Sequence, residues 1–287
     1  MVRALRLVVG VLPVRPMGLH GRAKALAWRP QMESVLRVWA AIMICAAVTQ
    51  TSSAEDDAKV GIGVGMDYVS KYIWRGQNLQ DDGAIQPSAL FTYGSLTASI
   101  WGSIDLSKIN NNSGEITEVD YSLDYTTTLD GLDGLTWSFG VINYTFPNTH
   151  LDDTTELYAG VGLDVPLTPK LTLYRDVDDY DGTYIMLSVG HCFEKFAELA
   201  PDVPVGLTLG ACLGWGSDNY NAGYWGVSHD ALNDLTFSLG LPMKVGRWSV
   251  TPSIRYTTLI NSDIRDSDAY DTASDYFVVG VGVTTSF

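Results

Sequence analysis

From Val60 to Phe287 apolar side chains recur at every second position, segment after segment, while the charged ones within the strands, Arg175 excepted, keep to the other parity. Successive side chains of a β-strand point to opposite faces, so a period of two is a strand signature. The last twelve residues, YFVVGVGVTTSF, show it most cleanly. Phe277, Val279, Val281, Val283, Thr285 and Phe287 share one face; Tyr276, Val278, Gly280, Gly282, Thr284 and Ser286 share the other. A strand with one apolar face and one small or polar face separates two environments. No apolar run approaches the roughly 20 residues that a membrane-spanning helix needs. If such a chain enters a membrane, it does so as strands.

Eleven earlier segments have the same character, giving expected strands over 60–75, 84–93, 96–106, 117–129, 135–141, 157–165, 171–178, 183–193, 205–215, 234–241 and 248–258. In the first, Val60, Ile62, Val64, Met66, Tyr68, Tyr72 and Trp74 form the apolar side. The connections alternate in length: 76–83, 107–115, 146–154, 178–182, 216–233 and 260–274 are the longer set, and most others are two to six residues. Single-chain outer-membrane barrels have even strand numbers, short periplasmic turns and longer outer loops. A soluble sandwich has one wet face per strand and does not keep placing an aromatic, charge-free face on the same side of the series. The expected fold is therefore all-β, a transmembrane antiparallel up-and-down barrel of about twelve strands over residues 55–287. Strand 276–287 closes it against 60–75, which would bring Gly280 and Gly282 near Gly61, Gly63 and Gly65. Residues 194–201 read as a longer connection with a helical turn, and an extra hairpin within 216–233 would raise the count to fourteen.

The amino-terminal part has a different grammar. The apolar run 38–48 follows Arg37 and leads into Ser52, Ser53 and Ala54, the layout of a secretory signal peptide cleaved near Ala54. Eleven residues are too few for a membrane anchor, and bulky Ile44 before Cys45 argues against a lipoprotein. Met32 opens a normal-looking signal sequence, so residues 1–31 read as an over-long start. Without residues 1–54 the chain keeps 11 basic and 32 acidic residues, a net charge near −21. That charge argues against nucleic-acid and anionic-lipid partners and draws cations.

On the proposed barrel the charges fall on the inner face. Asp67, Lys71 and Arg75 lie at intervals of four along the first strand, with Asp105, Glu118, Asp120, Asp124, Glu156, Asp164 and Asp234 opposing them and Arg255 as a further inward base. On the hydrocarbon side each would cost about 2–4 kcal/mol at the midplane, so the one-sidedness is informative. It serves either a charged constriction or internal salt bridges that fill a lumen. The many inward glycines either make space or let an infolded loop approach; loops 216–233 and 260–274 are the candidate plugs.

The segment SKYIWRGQNLQDDGAIQPSALFTYGSLTASIWGS, residues 70–103, carries Ser70, Tyr72, the pair Arg75-Gly76, Gln86 and the closing Trp101-Gly102-Ser103. It resembles the opening of the TorF-type porins, a family first catalogued as conserved bacterial proteins of unknown function (Gcw_chp). LYRDVDDYDGTYIMLSVGH, residues 173–191, is similar to that family's second landmark. The resemblance implies an outer-membrane barrel with a porin role and carries over no catalytic residue.

From these observations the expected protein is a bacterial outer-membrane channel. Small hydrophilic solutes, neutral or cationic, would diffuse through an acidic lumen whose constriction Lys71, Arg75 and Arg255 shape. Its partners would be outer-membrane lipid and lipopolysaccharide, the solutes, and the barrel-assembly machinery. That machinery would read Phe277, Val279, Val281, Val283 and Phe287 as the assembly signal. The oligomeric state stays open. A plugged, structural barrel without transport is the alternative.

A barrel lipid hydrolase is the third class weighed. Ser228-His229-Asp230 is adjacent in sequence, a poor geometry for a triad, and His191 has no outward serine beside it. DVDDYDG, residues 176–182, lacks the EF-hand pattern and reads as an acidic turn. No metal or cofactor is expected. A hairpin centred near residue 199 sets Cys192 opposite about 206 and Cys212 opposite about 186, beyond disulfide reach.

Overall fold

The structure, a computed structural model, describes residues 60–107, 113–128, 134–270 and 274–287. The expected leader and its cleavage site near Ala54 lie outside the described residues. The elements in order are β1 Val60–Val69, β2 Tyr72–Trp74, β3 Gln77–Gln80, β4 Ala84–Tyr93, β5 Leu96–Asp105, β6 Ile116–Thr128, β7 Leu135–Thr145 and β8 Thr154–Leu163. They continue with β9 Lys170–Asp176, β10 Thr183–Ala200, β11 Val203–Gly216, α1 Asp218–Trp225, β12 Ala231–Gly240, β13 Met243–Val245, β14 Trp248–Leu259, α2 Ser262–Arg265 and β15 Asp275–Ser286. Twelve of the strands, β1, β4 to β12, β14 and β15, form the wall, each antiparallel to its neighbours, and β1 pairing with β15 closes it. Closure leaves no free edge along the wall.

Burial in this molecule is inverted. Met66, Phe91, Ile100, Tyr121, Phe139, Leu187, Phe237 and Phe277 are exposed, while Gln77, Asp105, Glu156, Asp176, Asn221 and Asn233 are among the most deeply buried side chains. Apolar outside and polar inside is the arrangement that hydrocarbon demands of a barrel wall. Phe277, Val279, Val281, Val283 and Phe287 all lie on the outer face. Phe287 exchanges backbone hydrogen bonds with Ile62, N–H to carbonyl 2.8 Å one way and 3.2 Å the other.

That pairing sets a register other than the expected one. Gly282 faces Asp67 and Gly280 faces Val69, while Gly63 and Gly65 face Ser286 and Thr284. Closure of tilted strands requires a stagger, and any even slip keeps every side chain on its face, so parity left the register open. The seam is not the emptiest part of the wall, because the Asp67 carboxylate occupies the space over Gly282.

Three further expectations are corrected. The first strand does not run to Arg75: β1 ends at Val69. Ser70 donates its N–H to the Val279 carbonyl at 2.8 Å and accepts the Val279 N–H on its hydroxyl at 3.0 Å, so a side chain takes the next ladder position and the backbone turns inward. Residues 194–200 are not a helical turn but the continuation of β10, which pairs with β11 beyond a register shift between Phe193 and Ala197. The segment 216–233 adds no hairpin. It holds α1, capped by the Ser217 hydroxyl, which accepts the Tyr220 N–H, and stopped by Gly226 at φ 69°.

Candidate functional site

Residues 70–83 leave the wall and cross the lumen as a small hairpin, β2 against β3. Its turn is Arg75-Gly76, with φ of 48° and 81°. Two successive residues at positive φ make the tight turn that suits the twist of a hairpin, and glycine is the residue that adopts it without strain. The hairpin reaches wall strands from β5 round to β15. Tyr72 packs on Trp101 at 5.5 Å between ring centroids, Trp74 meets Tyr144 edge-on at 5.8 Å, and Ile73 is buried with Tyr276 and Val278. At Gly76 an added Cβ would lie 2.7 Å from Leu259 Cδ2 and 2.8 Å from Asp234 Cβ, so the tip fits only without a side chain.

Arg75 is the centre of this arrangement. Its two terminal nitrogens donate to the two carboxylate oxygens of Glu156, each at 2.7 Å. The guanidinium lies 4.4 Å from the Trp74 ring, 4.3 Å from Tyr174 and 4.5 Å from Tyr184. The Tyr144 hydroxyl donates to Glu156 at 2.9 Å and the Tyr184 hydroxyl donates to Asp234 at 2.7 Å. A guanidinium supplies a planar fork for a carboxylate and a flat cation for aromatic faces, and this site uses both.

The other expected site residues are distributed around it. Lys71 is at the hairpin base instead of on the wall, ion-paired to Asp81 across the two chains of the hairpin. Asp105 accepts from Gln80 Nε2 at 2.8 Å and the Ser107 N–H at 2.6 Å, which ties β3 to the rim. Asp124 accepts from the Tyr158 hydroxyl at 2.5 Å. Glu118 lies within interaction reach of Tyr72 and Asp120, and Asp120 keeps one buried oxygen without a hydrogen-bond partner. Arg255 lies within electrostatic reach of Asp67. Asp164 is exposed in the turn after β8, not on the strand. The placement of Lys71, Arg75, Tyr72 and Trp74 on a strand of the wall is thus overturned; all four belong to the infolded hairpin.

The expected plugs, 216–233 and 260–274, have a supporting role. Trp225, Val227, Ala231, Leu259 and Ile264 form an apolar cluster at the long-loop end. From this cap the Tyr220 hydroxyl accepts from Gln77 Nε2 at 3.1 Å, and the Tyr270 hydroxyl bonds Gln77 Oε1. Gly182 makes room for the backbone of Tyr220, 2.7 Å from where a Cβ would stand.

Two cavities meet at the hairpin. One, of about 370 Å³, opens toward the long loops and is lined by Tyr144, Tyr180, Tyr224 and Glu118 among others. The second, of about 260 Å³, is lined by Lys71, Gln86, Trp101, Asp120 and Arg255. Tyr72 and Trp74 line both.

Sequence reasoning missed Tyr144, Tyr174, Tyr184, Tyr220 and Tyr224. Their signal was present in part, since tyrosines on the inward parity of strands otherwise polar need a partner for both ring and hydroxyl. The remaining motifs have structural duties. Asp176 accepts from Thr154 and from the N–H groups of Asp178 and Asp179, shaping the acidic turn. Among the described residues no cluster of histidine, cysteine and carboxylates is arranged to hold a metal ion. His229 uses Nε2 on Asp263, 2.8 Å, and Nδ1 on the Asp230 carbonyl, 3.0 Å, which leaves neither nitrogen for Ser228. Cys192 faces Thr208 and Cys212 faces Ser188, and both are free thiols.

A closed twelve-stranded wall, apolar outside and polar inside, with a hairpin folded into it, defines a transmembrane β-barrel. The chain belongs to the Gcw_chp family, bacterial proteins of unknown function, whose model matches residues 53–241. A search of the curated proteins finds no match to the chain. Similar solved structures are barrels of the outer membrane. The NanC porin is 15% identical with a TM-score of 0.46, over 78% of this chain and 98% of its own. LpxR from Salmonella typhimurium is 8% identical with a TM-score of 0.43, over 78% and 99%. An outer membrane channel from Pseudomonas putida F1 is 9% identical with a TM-score of 0.41, over 82% and 100%. All three scores fall below 0.5, too loose to carry function from one barrel to another.

Proposed function

We propose that this protein is an outer-membrane channel of a Gram-negative bacterium, not an enzyme, through which small hydrophilic solutes diffuse past a movable hairpin. The observation that carries the reading is the pair of cavities that share Tyr72 and Trp74. A wall filled merely for stability needs no chamber on either side of its filling. Moving one three-residue strand, β2, would join them.

The charge balance supports a preference for neutral and cationic solutes. Arg75 is matched by Glu156 and Lys71 by Asp81, and Arg255 lies within electrostatic reach of Asp67, while Glu118, Asp120 and Asp124 form no ion pair within the salt-bridge distance among the described residues. In this reading the leader is removed near Ala54, the long loops face outward among lipopolysaccharide, and the assembly machinery recognises the outward face of β15.

The second reading is a plugged structural barrel, favoured by the depth and the full pairing of Arg75. Single-channel recording on refolded protein separates the two. The channel reading expects small, flickering, cation-selective conductance that grows when Trp74 is changed to glycine or when 72–80 is replaced by a short flexible linker. A silent wild type that stays silent after the hairpin is removed leaves the structural reading, and anion selectivity overturns the acidic lumen.

A further inference from the structure

Resting on the channel reading, we infer that the cavity on the loop side of the hairpin is a binding site for an organic ammonium cation, the class of solute the channel selects. The cavity holds about 370 Å³, within the roughly 300–1,000 Å³ of small-molecule sites. Its walls combine two chemistries. Tyr180, Tyr224, Trp74 and Tyr144 form a continuous aromatic array, with successive centroids 4.8, 5.6 and 5.8 Å apart. Asp105, Glu118, Asp152 and Asp179 add carboxylates, and no lysine, arginine or histidine lines the space among the described residues. Aromatic faces attract cations through the ring quadrupole, and carboxylates at the rim supply the long-range attraction.

Two independent features point the same way. The first is that the protein already uses this chemistry one step deeper: Trp74, a wall of the cavity, is also one of the rings around the Arg75 guanidinium, with Glu156 as the counter-ion. An ammonium ion entering from the loops would meet a second version of the same cage. The second is crowding of like charge. Burial first, then the carboxylates of Asp176 and Asp152, raise the Asp179 carboxyl above its ordinary range. A bound cation relieves that repulsion; a neutral or anionic solute does not. The apolar rings favour a substituted ammonium over a bare metal ion, since its methyl or methylene groups bury against them.

The test uses the full mature chain refolded in detergent, with choline as the probe and the uncharged 3,3-dimethyl-1-butanol as its isostere, read by calorimetry and by quenching of tryptophan fluorescence. Choline should bind at least about tenfold more tightly than the isostere, and Tyr224→Leu or the exposed-loop change Asp179→Asn should each weaken choline by about three- to tenfold. Because Tyr224→Leu can disturb the cap, heat-modifiable mobility on gels checks its folding and Asp179→Asn stands alone if it fails. Equal affinity for choline and the isostere overturns the inference, as does choline binding that neither change alters, or tighter binding of glucose than of choline. Conductance measured on the same preparations keeps the two readings apart. Conduction without choline discrimination sinks only the ligand class; choline binding without conduction sinks the channel and leaves a binding site.

Discussion

Arg75 and Glu156, 81 residues apart in the chain, face each other through two parallel hydrogen bonds of 2.7 Å inside the barrel. Neither charge is exposed to water, with side-chain exposures of 9% and 2%. Taking both from water costs several kcal/mol per ion, which the paired geometry and the Tyr144 hydroxyl offset. The pair is therefore poor evidence of net stability and good evidence of specificity: it sets the docked position of the hairpin, from which any opening must start.

Removing one partner strands the other. Arg75→Met leaves a buried carboxylate and should weaken docking of the hairpin by about 3–5 kcal/mol. Hydrogen exchange of the 72–80 amides should rise by orders of magnitude while the wall strands stay protected. Adding Glu156→Gln should recover part of the loss, and a double change no better than the single one would mean that the two do not act as a pair. Arg75→Lys should behave like Arg75→Met more than like the wild type, since an ammonium cannot form the fork.

Gly76→Ala tests the turn. The residue has φ of 81°, and a Cβ would press on Leu259 and Asp234. Positive φ alone costs about 1–2 kcal/mol for a residue with a Cβ, so the hairpin should loosen and channel open time should increase. The same change at Gly114, which has open space around it, should leave conductance untouched.

His229 and Asp263 join the two loops of the cap, and their pH dependence has a definite sign. The hydrogen bond to the Asp230 carbonyl, then the Asp263 carboxylate, raises His229 above its ordinary value of 6.5. A raised histidine contributes fully below about pH 6.5 and loses its contribution as pH rises through the folded value. The pair is solvent-exposed, so the effect is local. NMR of the His229 ring should give an elevated midpoint that falls toward the ordinary histidine value in Asp263→Asn. An unchanged midpoint in that variant would show that the contact does not hold in solution.

Deleting Phe287 removes two backbone bonds to Ile62 and the ring beneath Arg247, whose guanidinium lies 5.2 Å from its centroid. Insertion into lipid vesicles, followed by heat-modifiable mobility, should slow and give a lower yield. Barrels that do assemble should conduct as before, because Phe287 faces away from the lumen.

Most of the wall was legible because strand parity is a local property. Strand β4 occupies 84–93 as read, and Asp105, Glu118, Glu156 and Asp234 lie on the inward face that their alternation assigns. The hairpin was not legible for the same reason. Tyr72 and Trp74 continue the parity of Met66 and Tyr68, so a wall strand and a strand that turns into the lumen look alike over those residues. The clue was local but small: arginine-glycine at the two turn positions, with serine where β1 ends.

By itself the sequence determined an alternating, one-sidedly charged chain with twelve staves and an apolar exterior, because hydrocarbon excludes charge whatever the tertiary arrangement. Only the tertiary structure decided what the interior charges do. The register at the seam puts Asp67 over Gly282, and the inward turn at Ser70 carries Arg75 across the lumen to Glu156. Both depend on the stagger of strands distant in sequence, a quantity that alternation cannot encode because every even shift preserves it.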